Sequence, residues 1–164
     1  MNLKIKGEFT GGFKMSKTAI EEDIKVVSAF PSLSRASADT RYNDNATAAS
    51  STGIDTLGFD EALVVLDLGT ITGAGTLNVI VMDSSVQAGA TGAVAIPGAV
   101  FTQKALANCP NVYEGRIKVK NYNRYLHVRA IAATASAKVY GVSVILGKAA
   151  ERPVSPVNDI GFTV

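Results

Sequence analysis

The residues whose types could do chemistry crowd into one stretch, "GRIKVKNYNRYLHVRA", from Gly115 to Ala130. Arg116, Lys118, Lys120, Arg124 and Arg129 lie there among Tyr122 and Tyr125, with Tyr113 just ahead and the chain's single histidine, His127, in their midst. Cations interleaved with aromatics suit a single-stranded nucleic-acid platform, because phosphates pair with cations and bases stack on flat π-faces. The same letters fit a plainer pattern. In "VYEGRIKVK" Glu114, Arg116, Lys118 and Lys120 share one strand face, and Tyr113, Ile117 and Val119 share the other. In "RYLHVRAIA" Leu126, Val128 and Ala130 alternate with Tyr125, His127 and Arg129. Apolar-in, polar-out alternation in two runs joined by "NYN" predicts a β-hairpin with a solvated, charged outer face. Such charges also discourage edge-to-edge pairing. The hairpin reading takes precedence, a protein-contact role for the basic face comes second, and nucleic acid comes last.

Other reactive residues form no constellation. His127 lacks a third group to orient an imidazole for a nucleophile. Asp55, Asp60, Glu61 and Asp67 cluster in sequence without calcium-loop spacing or a companion ligand. "GAG" at 73–75 is followed by a strand pattern, whereas a phosphate loop must open a helix. Cys109 is the only cysteine, so no internal disulfide forms, and "LANCPNV" reads as a structural thiol. The expectation is a non-enzymatic chain with no cofactor and no metal.

The elements that must position these residues follow from composition and periodicity. A chain of 164 residues fits one domain able to bury roughly 70% of its unfolded surface. Charged residues are only 18%, too few for long polar-faced helices, and the net charge of +2 is low for a sequence-independent nucleic-acid binder. No apolar run reaches membrane-span length, and the basic N-terminus lacks the apolar stretch of a signal peptide.

Residues 1–17 read as an extended basic arm in which Lys4, Lys6, Lys14 and Lys17 face only Glu8. "TAIE" (18–21) fits a capping box with Ile20, Ile24 and Val27 at helical spacing, yet "IKVVSAF" equally fits a strand. Residues 31–52 read as a long polar surface loop, and 148–164 as a second extended arm. Between them, "EALVVLDLG" (61–69) reads as a central strand covered on both faces and forms a hairpin with "TLNVIVMDS" (76–84) through "TITGAG". "VQAGATGAVAIPGAV" (86–100) reads as a Gly/Ala-rich excursion, and 112–120, 124–132 and 138–146 as three closely spaced strands. This spacing predicts an all-β fold: an antiparallel β-sandwich or jelly-roll-like domain over 18–147, flanked by the two arms.

The blocks "STGIDTLGFDEALVVLDLGTITGAGTLNVIVMDS" and "YEGRIKVKNYNRYLHVRAIAATASAKVYGVSVILGKA" resemble small structural proteins of tailed bacteriophages, particularly head decoration (capsid cement) proteins, over roughly residues 50–150. The resemblance implies a compact β-sandwich on the outside of an icosahedral shell, with the major capsid protein as partner and a homo-oligomer, a trimer favoured. It implies a virion location after assembly in the host cytoplasm, no membrane contact and no catalytic residues. Lys4, Lys6, Lys14, Lys17, Arg116, Lys118, Lys120, Tyr122 and Arg124 are the candidate protein-contact residues. A tail, connector or fibre-base component is the alternative, and a nucleic-acid- or carbohydrate-binding sandwich a weaker one.

Overall fold

Period-two alternation builds the layers. Ala62, Val64, Leu66 and Leu68 are each 1% exposed or less, while Leu63 and Val65 between them are half-buried and Asp67 is exposed. The computed structural model describes residues 24–35, 38–134, 136–147 and the backbone of 159–163. The strands are β1 (Ile24–Arg35), β2 (Thr40–Tyr42), β3 (Ile54–Asp55), β4 (Glu61–Ile71), β5 (Thr76–Ser84), β6 (Val94–Lys104), β7 (Asn111–Ile117), β8 (Tyr125–Ala133), β9 (Lys138–Gly147) and β10 (Asp159–Thr163). A first sheet runs β1-β9-β4-β7-β10 and a second runs β2-β8-β5-β6, with β3 also on β8. Pairing is antiparallel except that β10 lies parallel to β7. Between the sheets lies one aliphatic core containing Leu66, Leu77, Val81, Phe101, Leu126 and Val144.

The expected all-β sandwich is thus what the chain forms, and its winding is that of a jelly roll. Both expected hairpins are corrected. β4 pairs with β7 and β9 while β5 pairs with β6 and β8. β7 and β8 likewise lie in different sheets. Alternation fixes which face is covered but not which strand lies alongside. The four residues linking β4 to β5 can reach about 14 Å, enough to cross the roughly 10 Å between sheets. The run 112–120 also stops early: β7 ends at Ile117, and Val119–Asn121 is a 3-10 turn with Val119 plugged into the core.

Three further expectations change. "IKVV" from Ile24 is strand; 18–23, like the arm 1–17, lies outside the described residues. The predicted loop 31–52 begins as strand, because β1 runs through Pro31 to Arg35 at a sheet edge, where a missing N–H is tolerated, with two register shifts. The later part of the 86–100 excursion is edge strand β6, bulged around Pro97-Gly98 so that Val100 faces Ile80 while Ala95 faces Met82.

The β1/β2 side of the sandwich is closed by Arg35, only 8% exposed. Its guanidinium lies 4.6 Å from the Tyr140 ring centre and 5.7 Å from that of Phe30. It donates to the carbonyls of Tyr140 and Pro31, each at 3.2 Å, and to Asp44 Oδ1 at 2.7 Å. Asp44 follows β2, so this contact ties the edge of one sheet to that of the other. Burial pushes the Tyr140 phenol up to about 12 against an opposing pull from the Arg35 guanidinium, so it stays neutral. Arg35→Ala is expected to cost about 3 kcal/mol, through a lost buried ion pair and orphaned carbonyls. Arg35→Lys should recover only a small part, lacking the planar fork. Urea midpoints at unchanged slope measure both, and a wild-type midpoint for Arg35→Ala would show the contact to be dispensable.

Candidate interaction surfaces

The structure separates the residues that the sequence crowds together. Lys4, Lys6, Lys14 and Lys17 lie outside the described residues. Arg116 sits on the outer face of the first sheet, 3.9 Å from the Glu61 carboxylate. Lys118 and Lys120 are exposed on the connection that leaves that sheet, and Tyr122 packs part-buried against the core. Arg124 makes a two-pronged contact with Asp55, Nε and Nη2 donating at 2.8 and 2.7 Å. The Arg124 bond, supported by the Leu57 amide, holds the Asp55 carboxyl well below the usual carboxylate range. The aromatic faces are occupied as well. Tyr113 is 6% exposed with Lys104 Nζ 3.8 Å above its ring centre, and the Arg124 guanidinium lies 5.2 Å from the Tyr125 centre. A stacking platform needs open rings beside free cations. This geometry does not assemble one.

His127 corrects a second expectation. Alternation puts it on the outward face of β8, where a solvated position was expected, yet it is fully buried. Residues 43–53, between β2 and β3, lie over that face as a roof. Asn43 anchors the near end: its Oδ1 accepts from Val128 N at 2.8 Å and its Nδ2 donates to Thr52 O at 2.7 Å. Its φ of 43° is a left-handed conformation that asparagine tolerates. At the far end Ser51 Oγ meets His127 Nδ1 at 2.9 Å, while His127 Nε2 lies 3.5 Å from Val86 O. Gly53 is required there, since a Cβ would come within 2.8 Å of His127 Nε2 and 2.9 Å of the Tyr125 Cβ.

A serine hydroxyl on an imidazole has the look of a nucleophile and its base, but Ser51 is 1% and His127 0% exposed. No substrate reaches a pair sealed in this way. Burial lowers the proton affinity of His127 against a smaller opposing effect from the Val86 carbonyl. The neutral ring then accepts from Ser51 at Nδ1 and donates from Nε2. The pair is a structural latch. A comparable latch, Asp83, accepts from both the backbone and side-chain nitrogens of Asn123 at 2.9 and 2.6 Å and pins the β7–β8 connection to β5. Among the described residues no group of three His, Cys, Asp or Glu side chains is placed to hold a metal ion.

What the sequence reading missed is the outer faces. On the first sheet, Val26, Ile145, Leu63 and Arg116 form one row across four strands, and Ser28, Ser143, Val65 and Glu114 the next. Val26 is 65% and Ile24 46% exposed. On the second sheet, Tyr42, Arg129, Ile80 and Val100 form a row, flanked by Thr40, Ile131 and Asn78. The signal was present in "EALVVLDLG", whose apolar residues on both alternating faces read as a strand covered on each side. Among the described residues only one of those sides is covered. Compared with known proteins, the chain matches no family profile and no curated sequence.

The latch sets a pH dependence. His127 has a lowered affinity when folded and an ordinary one, near 6.5, when unfolded. As pH falls below about 6.5 the unfolded chain takes up a proton that the folded one refuses, so stability is fully present above that pH and declines beneath it. Thermal midpoints should therefore fall between pH 7 and pH 5, and His127→Gln should flatten that decline. Gly53→Ala should lower stability by about 1–3 kcal/mol through overpacking, with faster amide exchange in residues 43–53. Equal pH slopes in wild type and His127→Gln would remove His127 as the cause.

Proposed function

We propose that this chain is a non-enzymatic virion structural protein, a head decoration protein that binds the outer surface of an icosahedral phage capsid and braces neighbouring shell subunits. One observation carries the reading: both broad outer faces of the sandwich hold aliphatic side chains, Val26, Leu63, Val65 and Ile145 on one and Ile80, Val100 and Ile131 on the other. An antiparallel sandwich standing alone in water usually turns polar residues outward, and contiguous exposed apolar surface marks contact with partners. Two opposed faces of this kind suit a part packed by neighbours on more than one side. Weak contacts on several faces, multiplied in an oligomer, hold firmly without a single tight site. The phrases that resemble decoration proteins run through β3 to β5 and β7 to β9, which supply Leu63, Val65, Ile80, Ile131 and Ile145 to these faces. The major capsid protein is the partner in this reading, a trimer the favoured assembly, and the capsid surface the location.

A tail, connector or fibre-base component would use the same faces and differs in copy number. The nucleic-acid reading loses support from the occupied tyrosine rings. Density-gradient sedimentation of a native lysate tests the proposal. The chain should travel with DNA-filled heads at a copy number comparable to the major shell protein, and removal of residues 1–17 should reduce that retention while leaving the thermal midpoint unchanged. Recovery with tails, or at about a dozen copies per particle, would transfer the assignment to the connector reading.

A further inference from the structure

The two outer faces differ in one respect that selects between them. Four of the five described arginines have a carboxylate beside them within the chain: Arg35 with Asp44, Arg41 with Asp39 and Arg124 with Asp55 at hydrogen-bond distance, and Arg116 with Glu61 at 3.9 Å. Arg129 is the exception among the described residues. Its side chain projects from the second sheet, directly between Tyr42 on β2 and Ile80 on β5, with Val100 beyond. Its Nε is buried and meets no acceptor. One step along β8 the face disappears beneath the roof, where His127 and Met82 are covered. Arg129 therefore stands at the foot of a step, on an apolar floor formed by Ile80, Ile131 and Val100.

We infer that the outer face of the second sheet is the side that meets the shell, and that Arg129 receives a carboxylate from the shell subunit. This rests on the decoration reading. A guanidinium with a planar fork of donors, half-buried among aliphatic residues and with no carboxylate partner among the described residues, is matched by an Asp or Glu side chain flanked by apolar residues. Arginines in this setting, central and desolvated on docking, carry much of an interface's binding energy. Asp39 and Asp44, on either side of the β2 strand that pairs with β8, are ion-paired with Arg41 and Arg35. The first sheet's outer face makes no such demand, because Arg116 there already has Glu61.

The test uses the full chain and DNA-filled heads produced without it, with binding followed by co-sedimentation over a concentration series. Arg129→Ala should weaken binding about tenfold or more, and Arg129→Glu about a hundredfold, as expected for a central arginine. Arg129→Lys should fall between Ala and wild type, since it restores charge without the fork. Thermal midpoints should stay near wild type. Val100→Glu, at the far end of the same row, should also lose binding and does not depend on how Arg129 variants fold. Arg116→Ala should bind within about threefold of wild type. Wild-type binding together with undiminished binding by Arg129→Glu and Val100→Glu overturns this inference and leaves the decoration reading standing. Failure of the wild-type chain to bind heads overturns both. Salt-sensitive capture of single-stranded DNA, lost in Arg129→Glu, would reassign the arginine to phosphate and overturn the carboxylate assignment.

Discussion

One guanidinium sets the geometry on which the rest of this molecule depends. Arg35 lies against Tyr140 and Phe30, donates to the Pro31 carbonyl of its own edge strand and the Tyr140 carbonyl of β9, and reaches across to Asp44. Exposed ion pairs contribute little, because solvent screens them and side-chain entropy opposes them. Arg35 escapes both penalties: its environment is nearly dry, and the two rings restrict its side chain. Holding Asp44 holds the start of the roof. From there Asn43 bonds β8, Ser51 meets His127, and half of one outer face is sealed while the other half stays open. The position of the Arg129 step thus follows from a contact made at the neighbouring β1/β2 edge of the sandwich.

The sequence was informative to the extent that its interactions are local. Alternation in 61–69, 76–84 and 124–132 located the strands and assigned inward and outward residues, His127 included. It could not say what lies above an outward residue. Ser51 is 76 positions from His127, and "NATAASS" has the composition of any polar loop. The basic cluster shows the same limit. Its cations are legible one by one, but Asp55 lies 69 positions from Arg124, and only the fold reveals which charges are already spoken for. The hairpins failed for a related reason. A short polar turn looks the same whether it reverses a strand within a sheet or carries it to the opposite one, and the jelly roll uses the second course at both places.

A jelly roll does not by itself specify a function, so the functional reading rests on the surfaces. The 116–124 region, foremost in the sequence, becomes less distinctive in the fold: Arg124 is bonded to Asp55, Arg116 lies 3.9 Å from Glu61, and Tyr122 packs against the core. The outer faces, unremarked as a feature of the sequence, become more distinctive. Aliphatic rows on both sides of a rigid body are wasteful for an isolated domain and useful for one held between neighbours. That contrast shifts attention from a cationic patch to two sheet surfaces, of which one holds an arginine with no acid among the described residues.

The edges of the sheets complete the argument about how such a body can associate. An open strand edge invites pairing with another chain, and irregular or short edges oppose it. In this fold β1 breaks register twice around Pro31, β6 bulges at Pro97-Gly98, and β2 and β3 are only three and two residues long. The remaining edge of the first sheet is occupied by the short parallel strand β10. Irregular or brief edges of this kind disfavour strand addition, so association is left to the faces. Face-to-face docking needs a complementary surface rather than a free backbone, and it is therefore selective where strand addition is not. An arginine with no acid among the described residues sharpens the selectivity further: an apolar partner lacking a carboxylate would bury that charge without compensation, a cost that only a matching surface avoids.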